Sequence, residues 1–147
     1  MYLKENQADI RLWVYDAKGK KVAIGDGNSW FDYSGADLKA SSNKTRPGGM
    51  GYEVELGGPA TRSDATITIQ NSDTMVGQHG FLEDRVSRSA RAEIVVTFLD
   101  DEGVALPSAR FHITGKILQA SLPGMKADSG AQSMYTVMLG ADERRAS

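Results

Sequence analysis

The feature that most constrains this chain is a hydrophobic period of two. Across residues 9–15, Ile10, Leu12 and Val14 alternate with Arg11, Trp13 and Tyr15, which gives a strand one apolar face. A helix would scatter the same residues around its circumference. The alternation returns at 52–56, with Tyr52, Val54 and Leu56 inward and Glu53 and Glu55 outward. At 61–70 it sets Ala65, Ile67 and Ile69 against Thr66, Thr68 and Gln70. Residues 92–99 are apolar on both faces, Ile94, Val96 and Phe98 on one and Val95 and Leu99 on the other, so this strand must be covered twice. A long strand over 109–120 points Phe111, Ile113 and Ile117 inward and Arg110, His112, Thr114 and Lys116 outward. Gly115 in its middle predicts a bulge or a close backbone approach. Turns at Asp16-Ala17-Lys18-Gly19 and Asp100-Asp101-Glu102-Gly103, a returning strand at 21–24 and a last strand at 134–139 complete the pattern. Glycine separates these runs, and its 16 copies in 147 residues suit an all-β chain.

Two segments depart from this rhythm. Residues 73–90 carry Met75, Leu82 and Val86 at spacings of seven and four, with Ser72 or Asp73 as N-cap. They predict one helix, firmest over 81–89, with Leu82 and Val86 packed down and Glu83, Arg85 and Arg88 in water. Residues 25–51 lose the alternation, and Ser41-Ser42-Asn43-Lys44-Thr45-Arg46-Pro47-Gly48-Gly49 is turn-rich and basic. They predict a long loop, either functional or a floppy surface connection. The fold class is therefore all-β, a β-sandwich of two packed antiparallel sheets with a flanking α-helix and a long loop, in one domain over 1–147.

Composition removes several classes of function. There is no cysteine, which excludes disulfide scaffolds, thiolate nucleophiles and cysteine-bound metals. The formal net charge of −2 lacks the basic footprint of a nucleic-acid binder. The start of the chain reads as no secretory signal and its longest apolar run is too short for a bilayer, so a soluble intracellular domain is expected. His79 and His112 match no metal-ligand spacing and read as structural. Gly25-Asp26-Gly27 lacks the remainder of a phosphate loop, Asp100 to Glu102 lacks the calcium-loop spacing, and no serine sits in a nucleophile elbow. Glu53 and Glu55 share a strand face a little under ~7 Å apart, the one carboxylate pair with glycosidase spacing, though a solvated strand face explains them as well. No enzyme, cofactor or metal is expected. Trp13 and Tyr15 on an outward face, and Trp30, Phe31 and Tyr33 near the start of the loop, suggest a partner surface. They also allow a small-molecule-binding β-barrel walled by Trp13, Trp30 and Tyr33.

The order of motifs carries a family resemblance. Trp30-Phe31-Asp32-Tyr33-Ser34-Gly35-Ala36-Asp37-Leu38-Lys39-Ala40 runs into the Lys44/Arg46-Pro47-Gly48-Gly49 loop. A strand ending Leu56-Gly57-Gly58, a Thr66-Ile67-Thr68-Ile69 strand, the helix, Ile113-Thr114-Gly115-Lys116-Ile117 and a closing Met134-Tyr135-Thr136-Val137-Met138-Leu139 follow. This order resembles the major tail tube proteins of long-tailed, non-contractile bacteriophages, from about residue 9 to 139. The resemblance implies a virion subunit, assembled in the host cytoplasm, whose rings, hexameric in the family, stack into the tail tube. Its partners would be further copies of itself and the tape measure, tail tip and terminator proteins. Genomic DNA would pass through without specific binding, and no membrane contact is implied. A contractile-tail or secretion-type tube protein is the alternative. On this reading Leu38, Lys39, Lys44, Arg46, Pro47, Gly48, Gly49 and Met50, with Trp13 and Tyr15, would meet neighbouring subunits. Glu53, Glu55, Thr66, Thr68 and Gln70 would line the lumen. Residues 39–51 would be mobile in the free subunit and ordered in the assembly, and 1–8 and 141–147 would be flexible tails with no appended domain.

Overall fold

A computed structural model of the chain describes residues 2–25, 30–45 and 54–146; at 31, 41–45 and 54–59 it describes the backbone alone. The elements run β1 (Ala8–Tyr15), β2 (Lys21–Ile24), β3 (Trp30–Gly35), β4 (Leu38–Thr45), β5 (Val54–Arg62), β6 (Ala65–Gln70), α1 (Asp73–Ser87), β7 (Arg91–Leu99), β8 (Ala105–Ser121) and β9 (Met134–Ala146). Seven strands form one sheet in the order β2-β1-β7-β8-β9-β6-β3, while β4 and β5 form a second of two strands. Every pairing in both sheets is antiparallel.

Period two delivers the interior. Ile10, Leu12 and Val14 from β1, Ile94 and Val96 from β7, Ile113 and Ile117 from β8, Tyr135, Val137 and Leu139 from β9, and Ile67 and Ile69 from β6 are all buried together. A flat sheet would leave this face half wet. Instead the sheet rolls, and Trp30 on the far edge strand donates Nε1–H to the Ala8 carbonyl of β1 at 3.0 Å. Two register shifts in the β8–β9 ladder, at Thr114/Gly115 and Ile117/Gln119, add the bend that rolling requires. Gly115 is at the first of them. A Cβ there would sit 2.2 Å from the Gly140 carbonyl oxygen, so the close approach predicted for this glycine is what the strand contains.

The remaining opening is covered by α1. Ser72 caps it, its hydroxyl oxygen accepting from the Met75 amide at 3.2 Å, and Met75 and Leu82 are fully buried beneath it. Gln78 ties the helix to the edge strand β2, donating to the Ala23 carbonyl and accepting from the Gly25 amide, both at 2.8 Å.

Four expectations are corrected. Residues 61–70 are not one strand: β5 ends at Arg62, and β6 begins at Ala65 after a turn. The described part of 25–51 is not a loop, because it contains β3 and β4, which are paired in antiparallel ladders with β6 and β5. Residues 141–146 do not fray, since β9 continues to Ala146 opposite Phe111 and Arg91 holds Asp142 at 2.8 Å; likewise Ala8 belongs to β1, and the Gln7 carbonyl accepts from the Leu99 amide. Arg85 is not in water. It is only 8% exposed.

Gly35 and Ala36 turn β3 into β4 with φ of +99° and +61°, and a Cβ on Gly35 would lie 1.9 Å from the Asp64 carbonyl oxygen. Gly35→Ala is therefore expected to cost about 2 kcal/mol or more in urea unfolding of the unassembled subunit. Gly124→Ala, with no atom within 4 Å of the added Cβ, should stay within about 0.5 kcal/mol of the parent.

Candidate assembly surfaces

The β3–β6 ladder stops at Gly35 opposite Ala65, and the β4–β5 ladder starts at Leu38 opposite Arg62. One long hairpin thus changes sheets at a kink. The kink is tied on both sides: the Asp37 amide donates to Ser63 Oγ and the Ser63 amide to the Asp37 carbonyl, both at 2.9 Å. Arg62 adds a 2.7 Å bond to the Ala36 carbonyl. Beyond it, β4 and β5 form a ribbon with no third strand among the described residues. Leu38 is 62% exposed, and Lys39, Ala40, Ala60 and Thr61 are exposed beside it. A two-stranded ribbon is marginal in water, so this arm needs a surface to lie on. Lys44 and Glu55 are opposite each other in its ladder. Arg46, Pro47, Gly48, Gly49, Met50 and Glu53 lie outside the described residues, as does Tyr52.

The outer face of the rolled sheet has two distinct halves. On β6 and β9, Thr66, Thr68 and Gln70 are set opposite Met138, Thr136 and Met134, all half-buried and none charged. The Thr68 and Thr136 hydroxyls approach to 3.5 Å. On β1, β7 and β8 the outer face instead holds a charge. Glu93 is fully buried, its carboxylate bonded to Lys21 Nζ at 2.9 Å and to His112 Nδ1, with the Tyr15 hydroxyl at 3.5 Å. Tyr15 and Trp13 are half-buried in this half rather than free. Glu93 interrupts the apolar run 92–99, and a lone carboxylate in such a run was the available signal for a buried ion pair.

The predicted aromatic group separates. Trp30 and Tyr33 turn inward, where they line a recess of about 540 Å³ with Ile10, Val96, Phe98 and Phe111. Trp13 is on the opposite face of the sheet, so Trp13, Trp30 and Tyr33 share no pocket wall. Both histidines have structural roles: His79 stacks on Tyr135 with ring centroids 4.2 Å apart and bonds Asn71. Among the described residues, no cluster of His, Asp or Glu has metal-binding geometry, and no helix is long and apolar enough to cross a membrane.

Burial acts to raise the Glu93 pKa, but the bonds from Lys21 and His112 outweigh it and hold the carboxyl below its ordinary range. A depressed carboxyl stabilises the fold above its unfolded pKa, and that contribution is lost as pH falls through the folded value. Glu93→Gln should lower stability by about 2 kcal/mol at neutral pH. The difference from the parent should shrink as pH drops below about 4.3, which thermal unfolding at several pH values would measure.

No protein-family model matches this sequence, and no curated protein matches it either. Solved structures do match in three dimensions. A chain of the six-fold symmetrised anti-feeding prophage baseplate aligns with a TM-score of 0.67 at 12% identity, covering 99% of this chain and 95% of that one. The tube-terminating cap of the anti-feeding prophage gives 0.68 at 13%, covering 99% and 90%. A chain of the sheath–tube complex of an extracellular contractile injection system, in its extended state, gives 0.64 at 16%, covering 95% and 89%. At such identities the likeness establishes the fold, which is tail-tube-like. The sequence resemblance pointed to non-contractile tails, whereas the last of these neighbours comes from a contractile injection system.

Proposed function

We propose that this chain is a structural subunit that assembles with copies of itself into rings, and rings into a tube, as the conduit of a tail-like injection machine. The observation that carries the proposal is the β4–β5 arm, a ribbon with no third strand among the described residues, on a fold shared over 99% of the chain with a chain of a tube-terminating cap. The edge at β3, with no further strand beside it among the described residues, supports the same reading, since such an edge invites pairing with another copy. The subunit performs no catalysis in this role.

Two settings fit. The sheath–tube neighbour favours a contractile machine, in which the outside of the tube meets a sheath. The motif order favours a non-contractile phage tail, with tape measure, tip and terminator proteins as partners and a hexameric ring. Binding of the assembled tube to sheath protein in co-sedimentation separates them.

Electron microscopy of the purified protein should show hollow rings or tubes of uniform diameter. Deleting residues 43–49 should leave a subunit with unchanged circular dichroism that assembles poorly, because the arm contributes to contacts between copies rather than to the core. Normal tubes from the deletion would remove the arm from the proposal.

The neutral half of the outer face, with Thr66, Thr68 and Gln70 beside Thr136 and Met138, is assigned to the lumen. A wall without cations offers phosphates nothing to bind and lets a charged cargo pass. Fluorescence anisotropy should find no DNA binding at physiological salt; micromolar affinity with a steep salt dependence would contradict the assignment.

A further inference from the structure

We propose that the acidic β7–β8 turn of one copy docks into an arginine-lined groove at the opposite end of β7 in the next copy, a head-to-tail contact. The inference deepens the assembly reading by naming the partner surfaces.

The groove has a volume of about 590 Å³ and lies among the β1–β2 turn, the end of α1 and the starts of β7 and its neighbours. Arg85, Arg88, Arg91 and Arg145 line it. Its donors are undersupplied with acceptors. Arg85 is more than nine-tenths buried, yet its Nε has no hydrogen-bond partner, and neither does the buried Thr114 hydroxyl. The Arg145 guanidinium makes no hydrogen bond or ion pair with any described residue. Arg85 and Arg88 share the single carboxylate of Asp84, and Arg91 has Asp142. Each guanidinium carries five N–H donors, so most make no bond to a described residue of the chain.

The groove's own carboxylates do not fill this need. Asp16 is occupied by the Lys18 and Lys20 amides, and Glu93 by Lys21 and His112. Glu143 makes no side-chain hydrogen bond or ion pair with a described residue, and its charge already acts on Arg91.

The complementary group is at the other end of the same strands. Asp100 is spent inside its turn, accepting from the Glu102 and Val104 amides. Asp101 is 75% exposed and has only a 3.6 Å contact to Lys4, while the Glu102 carboxylate bonds to no described residue. Gly103, at φ +81°, keeps the tip narrow. From Glu93 to Asp100 the strand advances about 23 Å. A copy displaced along the strand axis therefore brings its acidic tip to the next copy's arginines. Such a contact is heterologous and repeats without closing, as a stack requires.

The absence of cysteine allows a direct test. A chain carrying both Glu102→Cys and Arg88→Cys should form a ladder of disulfide-linked multimers under mild oxidation, while either substitution alone should stop at dimers. The two sites are too far apart to close within one chain. Absence of a ladder overturns the inference. In parallel, Asp101→Lys with Glu102→Lys, or Arg88→Glu with Arg145→Glu, should weaken stacking at least about tenfold while rings persist. Combining the two reversals should restore stacks; if the combination stacks no better than either pair, a different acidic partner occupies the groove and the inference fails. Tubes without a ladder would reject this contact and leave the conduit reading intact. A ladder without tubes would do the reverse.

Discussion

A sheet with one apolar face must bury it, and among the described residues the separate cover on offer is a helix of fifteen residues. That shortage governs the rest of the structure. Seven strands cannot be dried by one short helix, so the sheet rolls until its far edge touches β1, with α1 closing the remaining gap. Rolling needs bends, and these are supplied where side chains are missing. At Gly115 the β8 backbone presses against the Gly140 carbonyl, and at Gly35 the β3 backbone presses against that of Asp64. The first bend curls the sheet. The second releases the arm from it.

Because the interior is filled from both halves of one sheet, the outer face is relieved of packing duty and differentiates. One half became neutral, with hydroxyl, amide and thioether groups in register across β6 and β9. The other took a buried carboxylate. Glu93 is tolerable there because two partners from different strands, the Lys21 ammonium and the His112 ring, reach it. Such a pair adds less stability than an apolar contact of the same size, since desolvation consumes much of the attraction. Its effect is directional: a one-residue slip of β2 against β1, or of β8 against β7, would strand the carboxylate, so it reinforces the register.

The arm and the arginine groove are the two places where the subunit is incomplete by itself. The arm has backbone pairing but no third strand among the described residues. The groove has donors in excess of acceptors. Both deficits are of the kind that another copy of the chain removes, one by covering a ribbon and the other by supplying carboxylates.

What residues 9–15, 65–70 and 109–117 would bury was written in their alternation, because a strand's two faces follow from residue parity alone. The Ser72 cap and the close approach at Gly115 were legible for the same reason: each is a local stereochemical requirement met by one residue type. Strands held by pairing rather than burial left no such mark. Leu38–Thr45 and the 141–146 end of β9 are polar, and they are extended because a partner strand lies beside them. The sides taken by Trp30 and Trp13 and the burial of Arg85 were likewise decided by how far the sheet rolled. The sequence by itself determined which face of each strand is apolar. Only the tertiary structure decided which polar residues meet, because those meetings join strands distant along the chain.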